Sequence, residues 1–257
     1  MITTLGVQLD VPPIGDMLTP ADVAGLRQVL DLEPQQARAA VAVIEGIDPL
    51  AYVPETAVAD IRDEITARTR FEWHAACIPG SWQSTLFTGT QRRHYWSARG
   101  DQPPAGDLAT HMRGRLVRRA AQQRGDRDVH LVLGEQALHV AAAQFGDAVV
   151  CDQIRQFLRM CETNDQLQLL PVEETTHLVD FTIMEFDDTT RDRVSLNHGA
   201  TSLFDDDVAV WWQNARDLRA LALGPRATCV RLRELLEAYT PVGTAKAFRA
   251  SGPLASI

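Results

Sequence analysis

Between Phe71 and Trp96 the chain concentrates aromatic and imidazole side chains: Phe71, Trp73, His74, Trp82, Phe87, His94, Tyr95 and Trp96. Gathered around one cavity, such rings would clamp a flat or apolar molecule, while an imidazole that titrates near neutrality moved protons. The chemistry this predicts needs no cofactor. A shaped apolar pocket would supply orientation and a His or carboxylate would supply acid/base help, which suits cyclisation, isomerisation or dehydration. His74, His94, Glu72 and Asn197 are the acid/base candidates, and Trp82, Gln83, Ser84, Trp73, Phe87 and Tyr95 the candidate ligand contacts. The competing reading is plain core packing, because aromatics at helical spacing usually fill the space between two helices.

Other constellations carry less. Ile78-Pro79-Gly80 reads as a sharp helix-to-helix reversal, since Pro fixes φ and Gly relieves the turn. Gln83 and Ser84 would then open the next helix, where free N–H groups cap or receive a small polar ligand. Arg115, Arg118, Arg119 and Gln122 share a helix face at three- and four-residue spacing; ion pairing with nearby carboxylates explains them better than a nucleic-acid stripe. His177 and His198 match no zinc spacing, and Glu135 with His139 is a helical i,i+4 pair, so no metal site is expected. Asp205-Asp206-Asp207 reads as a helix-capping cluster. Cys77 and Ser84 lie near His74 in sequence, which alone does not make a nucleophile–base pair. Phosphate-binding, nucleophile-elbow and kinase signatures do not occur.

The elements that must position these residues follow from periodicity. Met1 to Leu18, with Pro12, Pro13 and Gly15, reads as an extended lead-in. Thr19-Pro20 opens a helix with Val23, Leu26, Val29 and Leu30 inward, Glu33-Pro34 a second, and Pro54 a third whose stripe runs Val58, Ile61, Ile65 and Phe71. Helices are also expected from Trp82 to Trp96, to Gln123 after the Arg99–Gly106 loop, over Gly134–Ala142 and Asp147–Cys161, and over Asp205–Leu223 and Pro225–Tyr239. Strands are expected at Asp128–Leu133, Leu167–Val172, Val179–Phe186 and Arg193–Asn197, the last two as a meander. Thr240 to Ile257 has no period and reads as a loose tail. The fold class is therefore α+β (mixed α/β): a helical N-terminal half, then a small, largely antiparallel sheet flanked by helices.

Composition bounds the function classes. With 257 residues, 45 % hydrophobic and 23 % charged, the chain can bury a sizeable core. A formal charge of −9 opposes non-specific attraction to phosphate backbones. No apolar run approaches the roughly 20 residues that span a bilayer, and Met1 to Gly15 lacks the pattern of a secretory signal. Cys77, Cys151, Cys161 and Cys229 form no CxxC pair, so free thiols in a reducing cytoplasm are expected.

Several short motifs recur in a telling order: Ile78-Pro79-Gly80-Ser81-Trp82-Gln83-Ser84, Arg115-Leu116-Val117-Arg118-Arg119, Val132-Leu133-Gly134-Glu135-Gln136-Ala137-Leu138, Gln166-Leu167-Gln168-Leu169-Leu170-Pro171, and Leu218 to Pro225. In order and spacing they resemble the C-terminal effector domain of actinobacterial Scr-type, antitoxin-like helix-turn-helix regulators, over about Thr19 to Tyr239. Such relatives follow the Pro-Gly turn with a Leu-Leu-Gln-Thr step, where this chain has Ser81-Trp82-Gln83-Ser84, and carry a glutamate on the strand near Leu196. Periodicity and this resemblance together divide the chain into a lead-in (1–18), a helical region (19–100), an α/β effector-like domain (101–239) and a tail (240–257). Eighteen residues ahead of Thr19 are fewer than the roughly 55–65 that a DNA-reading domain needs. The expectation is a regulatory, antitoxin-like binding module without DNA binding. Its partner would be a small protein or a small-molecule ligand, with no nucleic acid, no membrane and no cofactor, and a homodimer is compatible. The alternative is a cofactor-independent biosynthetic enzyme recruited from that scaffold.

Overall fold

In a computed structural model of the chain, residues 63–64, 66–102, 107–122, 127–163, 166–174, 178–198, 201–205 and 208–240 are described, with positions 2–4, 7–9, 24 and 28. Strands β1 (Ile2–Thr4) and β2 (Val7–Leu9) pair antiparallel within the expected lead-in. The helices expected over Thr19–Gly46 and the tail beyond Thr240 lie outside the described residues, apart from positions 24 and 28.

The main sheet holds β3 (Thr69–His74), β4 (Asp128–Gly134), β5 (Leu167–Leu170), β6 (Phe181–Glu185), β7 (Arg193–His198) and β8 (Thr201–Asp205), in the order β5-β4-β3-β6-β7-β8. β3 with β4 and β4 with β5 are parallel, whereas β3–β6, β6–β7 and β7–β8 are antiparallel. The class is mixed α/β, and the sheet expected to be largely antiparallel is mixed, with two parallel and three antiparallel pairings. Parallel neighbours require long crossovers. Helices α1 (Thr85–Arg99) and α2 (Asp107–Gln122) carry the chain from β3 to β4; α3 (Gln136–Phe145) and α4 (Asp147–Thr163) carry it from β4 to β5. Helices α5 (Val208–Leu221) and α6 (Pro225–Tyr239) close the described chain. No helix among the described residues is long and apolar enough to cross a membrane.

β3 is the main departure from the sequence reading, which ran a helical stripe through Phe71. Arg70, Glu72 and His74 alternate with Phe71 and Trp73, and that period of two sends the two sets to opposite faces. Phe71 and Trp73 join Val132, Phe181, Ile183 and Val194 on a face covered by Ala215 and Leu218 of α5. The opposite face, with Leu131, Leu133, Leu167 and Leu169, packs on Phe87, Leu138, Ile154, Phe157 and Leu232 from α1, α3, α4 and α6. The sheet is thus the middle of three layers. Its centre takes strands from both sides of the Arg99–Gly106 loop.

Ile78-Pro79-Gly80 reverses a strand into a helix, not a helix into a helix. It leads from β3 through a 3₁₀ turn, Gly80–Trp82, into α1, whose N-cap is Ser84 (Phe87 N–H to Ser84 Oγ 3.2 Å). At the other end of α1, Gly100 takes φ +70°, the left-handed cap that glycine adopts without strain.

Candidate functional site

The inner residues of β3 form a buried row of charge. Arg70 is 1 % exposed, and its guanidinium reaches Glu64 at 3.4 Å and lies 2.9 Å from Glu72 Oε1. The indole N–H of Trp82 donates to the same Oε1 at 2.9 Å. Burial alone would raise the Glu72 pKa, but the Arg70 charge, His74 and the Trp82 hydrogen bond outweigh it and hold it at about 2. Buried charges persist only when paired in this way.

His74 ends the row. Its Nε2 is within ion-pair distance of Glu72 Oε2 (3.6 Å), and its Nδ1 lies 3.4 Å from Asp180 Oδ2 and 3.3 Å from Cys77 Sγ. Sγ is itself 3.4 Å from Asp180 Oδ2, and Asp180 Oδ1 accepts the Ala75 N–H at 2.8 Å. Burial pushes the imidazole pKa down, but bonds to Asp180, Cys77 and Glu72 raise it well above the ordinary histidine value. Burial would raise Asp180 as well; the His74 and Ala75 hydrogen bonds lower it. Register explains the meeting: Trp73 pairs with Phe181, so Asp180 flanks His74. An imidazole nitrogen, a thiol and a carboxylate, all within 4.8 Å of one another, can relay a proton or ligate a cation.

A second feature adjoins this cluster. A cleft of about 290 Å³ opens at the carboxyl ends of β3, β4 and β5, lined by Trp73, Ala75, Ala76, Gly134, Glu135, Gln136, Leu170, Pro171, Val172 and Glu174. Ala75 and Ala76 of its lining stand between His74 and Cys77 in the chain. The fit there is tight, since a Cβ on Gly134 would lie 2.3 Å from the Ala75 carbonyl oxygen, so only glycine allows that approach. Beside it Glu135 is pinned by Arg231 of α6 (2.9 and 2.7 Å) and by His139 (3.3 Å), and Tyr239 closes the chain on the other imidazole nitrogen. The Glu135–His139 pair is thus a clasp between α3 and α6.

The remaining sequence candidates disperse. Trp82 is fully buried in the helical core and Phe87 packs edge-on against Phe145. Gln83 donates to the Ile78 carbonyl at 2.6 Å, and the Ser84 N–H is taken by Gln153 of α4, which also donates to the Trp82 carbonyl. Arg115 spans the same turn, donating to the Gly80 and Gln83 carbonyls at 2.6 and 2.9 Å. The polar groups of Gln83 and Ser84 are therefore spent on the fold. Arg118 meets Glu64, an ion pair of the expected kind, whereas Arg115 holds backbone oxygens. His94 packs against Phe145, and Tyr95 is 42 % exposed among Trp96, Arg92 and Arg99. The Asn197 backbone lies on β7, while its side chain and His177 are outside what is described. His74, Glu72 and Trp82 come together; of the aromatics, Trp73 alone lines the cleft.

The profile of the family described as a domain of unknown function (DUF5753) matches residues 61–234. The chain belongs to the DUF5753 family. That span contains β3 through most of α6, and so both the charged row and the cleft. No curated protein and no solved structure matches the chain.

Sequence reasoning missed Asp180, Cys77 as a member of the cluster, Arg70, and the Leu170–Val172 side of the cleft. The alternation of Arg70, Glu72 and His74 with Phe71 and Trp73 was the available signal for a strand. Nothing local pairs residue 74 with residue 180.

Proposed function

We propose that this DUF5753 chain is a regulatory, effector-type binding module that takes a small ligand in the cleft at the carboxyl ends of β3, β4 and β5. One observation carries the reading. The cleft opens beside the strand whose neighbours change from parallel (β4) to antiparallel (β6), and open α/β sheets bind ligands outside the carboxyl ends of their strands. Its wall combines Trp73, Leu170, Pro171 and Val172 with a few polar groups, the usual make-up of a small-molecule site. The motif order shared with antitoxin-like regulators supports a sensor role, and the −9 charge favours a function without nucleic-acid contact.

The test is equilibrium dialysis against the small-molecule extract of the source cells, followed by mass spectrometry. The parent chain is expected to concentrate a compound that Ala76→Trp, which fills the cleft from an exposed wall position, does not. Equal enrichment by both chains, or none by either, refutes the reading. A catalytic alternative is favoured by one observation, the His74 imidazole held between Glu72 and Asp180 beside an exposed thiol. It predicts that the enriched compound leaves the parent chain chemically altered and leaves His74→Gln intact.

A further inference from the structure

The geometry points to a divalent-metal site of the zinc type formed by His74 Nδ1, Cys77 Sγ and Asp180 Oδ2, with a fourth position open to solvent. The donor set is the first argument: imidazole, thiolate and carboxylate are the three side-chain ligands zinc takes. Their spacing is the second. Zinc bonds of roughly 2.3 Å to sulfur and 2.0–2.1 Å to nitrogen and oxygen, set at tetrahedral angles, require edges of roughly 3.6 Å (N–S), 3.3 Å (N–O) and 3.5 Å (S–O). The three atoms stand at 3.3, 3.4 and 3.4 Å. One ion fits at their common centre with shifts of a few tenths of an ångström.

The surroundings supply what a metal site needs beyond its ligands. Glu72 faces the far nitrogen of His74 at 3.6 Å, the carboxylate–histidine–metal order that leaves Nδ1 free as the donor. Glu72 is in turn fixed by Arg70 and Trp82. The Ala75 N–H holds Asp180 Oδ1, so that Oδ2 is left for the ion. Cys77 is exposed, which provides an entry path and the open position. Without a metal the Cys77 thiol donates to Asp180 Oδ2 at 3.4 Å, and a bound ion would take the place of that proton. The site is separate from the cleft reading: either can fail while the other stands.

The experiment titrates the full chain with Co²⁺ and, separately, dialyses it against Zn²⁺ with metal counted by plasma mass spectrometry. One Co²⁺ per chain is expected, with the near-ultraviolet thiolate-to-cobalt band and the visible absorption of a tetrahedral site. Cys77→Ser should abolish that band, and Asp180→Asn should weaken retention by about tenfold or more. Both positions lie outside the apolar cores; should either variant fail to fold, protection of Cys77 from iodoacetamide by Zn²⁺ gives the same answer in the parent chain. Absence of the band and of protection overturns the proposal. So does a band that survives Cys77→Ser and vanishes only when Cys151, Cys161 and Cys229 are replaced.

Discussion

Replacing Glu72 by Gln tests the buried charge row directly. The substitution keeps shape and leaves an oxygen to accept the Trp82 N–H, but it removes the negative charge that faces Arg70 at 2.9 Å and His74 at 3.6 Å. The drop of the Glu72 pKa from 4.5 to about 2 means that the fold favours the charged form by about 3 kcal/mol. Breaking a buried ion pair from one side costs about 3–5 kcal/mol, so the two routes agree on about 3. With a urea dependence of about 2–3 kcal/mol per molar, the unfolding midpoint at pH 7 should fall by about 1–1.5 M. Because the folded pKa is depressed, this stabilisation is present above pH 4.5 and lost as pH falls toward about 2. The gap between parent and variant should therefore shrink to roughly half or less by pH 3. Urea titrations followed by tryptophan fluorescence at pH 7 and pH 3 read both quantities. A midpoint shift below about 0.3 M at pH 7, or a gap that does not narrow with acid, refutes the electrostatic account of β3.

His74 works with the opposite sign. Its folded pKa is raised, so its contribution is full below pH 6.5 and lost as pH rises through the folded value. With chelator present, chemical denaturation from pH 6 to 9 should show a decline that His74→Gln flattens. Gly134→Ala places a Cβ 2.3 Å from the Ala75 carbonyl oxygen; a loss of about 1–3 kcal/mol is expected in denaturant, with shifted Ala75 and Ala76 amide resonances. Arg115→Ala strips the carbonyls of Gly80 and Gln83 of a buried guanidinium and should lower Tm by about 6–12 °C in calorimetry, from a cost of about 3 kcal/mol.

Much of the layout was legible where local period decides. The spacing of Met112 and Leu116 announced α2, Val150, Ile154 and Phe157 announced α4, and the alternation of Phe181 and Ile183 announced β6. β3 was misread because Ile61, Ile65 and Phe71 fit a helical stripe, and the alternation of Arg70, Glu72 and His74 with Phe71 and Trp73 went unused. Charge is tolerated on this buried strand because Arg70, Glu72 and His74 neutralise one another along it. Strand order lay beyond reach, as the parallel β3–β4 pairing joins residues some sixty apart through two helices. The same holds for the site. His74 and Glu72 were visible as chemistry, but Asp180 reaches them only through the β3–β6 register, and the aromatics split because Phe71 and Trp73 face the α5 side of the sheet while Trp82 and Phe87 pack in the helical layer on the other.

The most direct test of the ligand cleft uses the five tryptophan indole N–H resonances of the ¹⁵N-labelled chain. Addition of the compound enriched by dialysis should move the Trp73 signal and leave that of Trp82, sealed in the core, where it was. A Trp73 resonance that stays fixed at saturating compound, while those of Trp96 or Trp211 move, would contradict a binding site at the carboxyl ends of β3, β4 and β5.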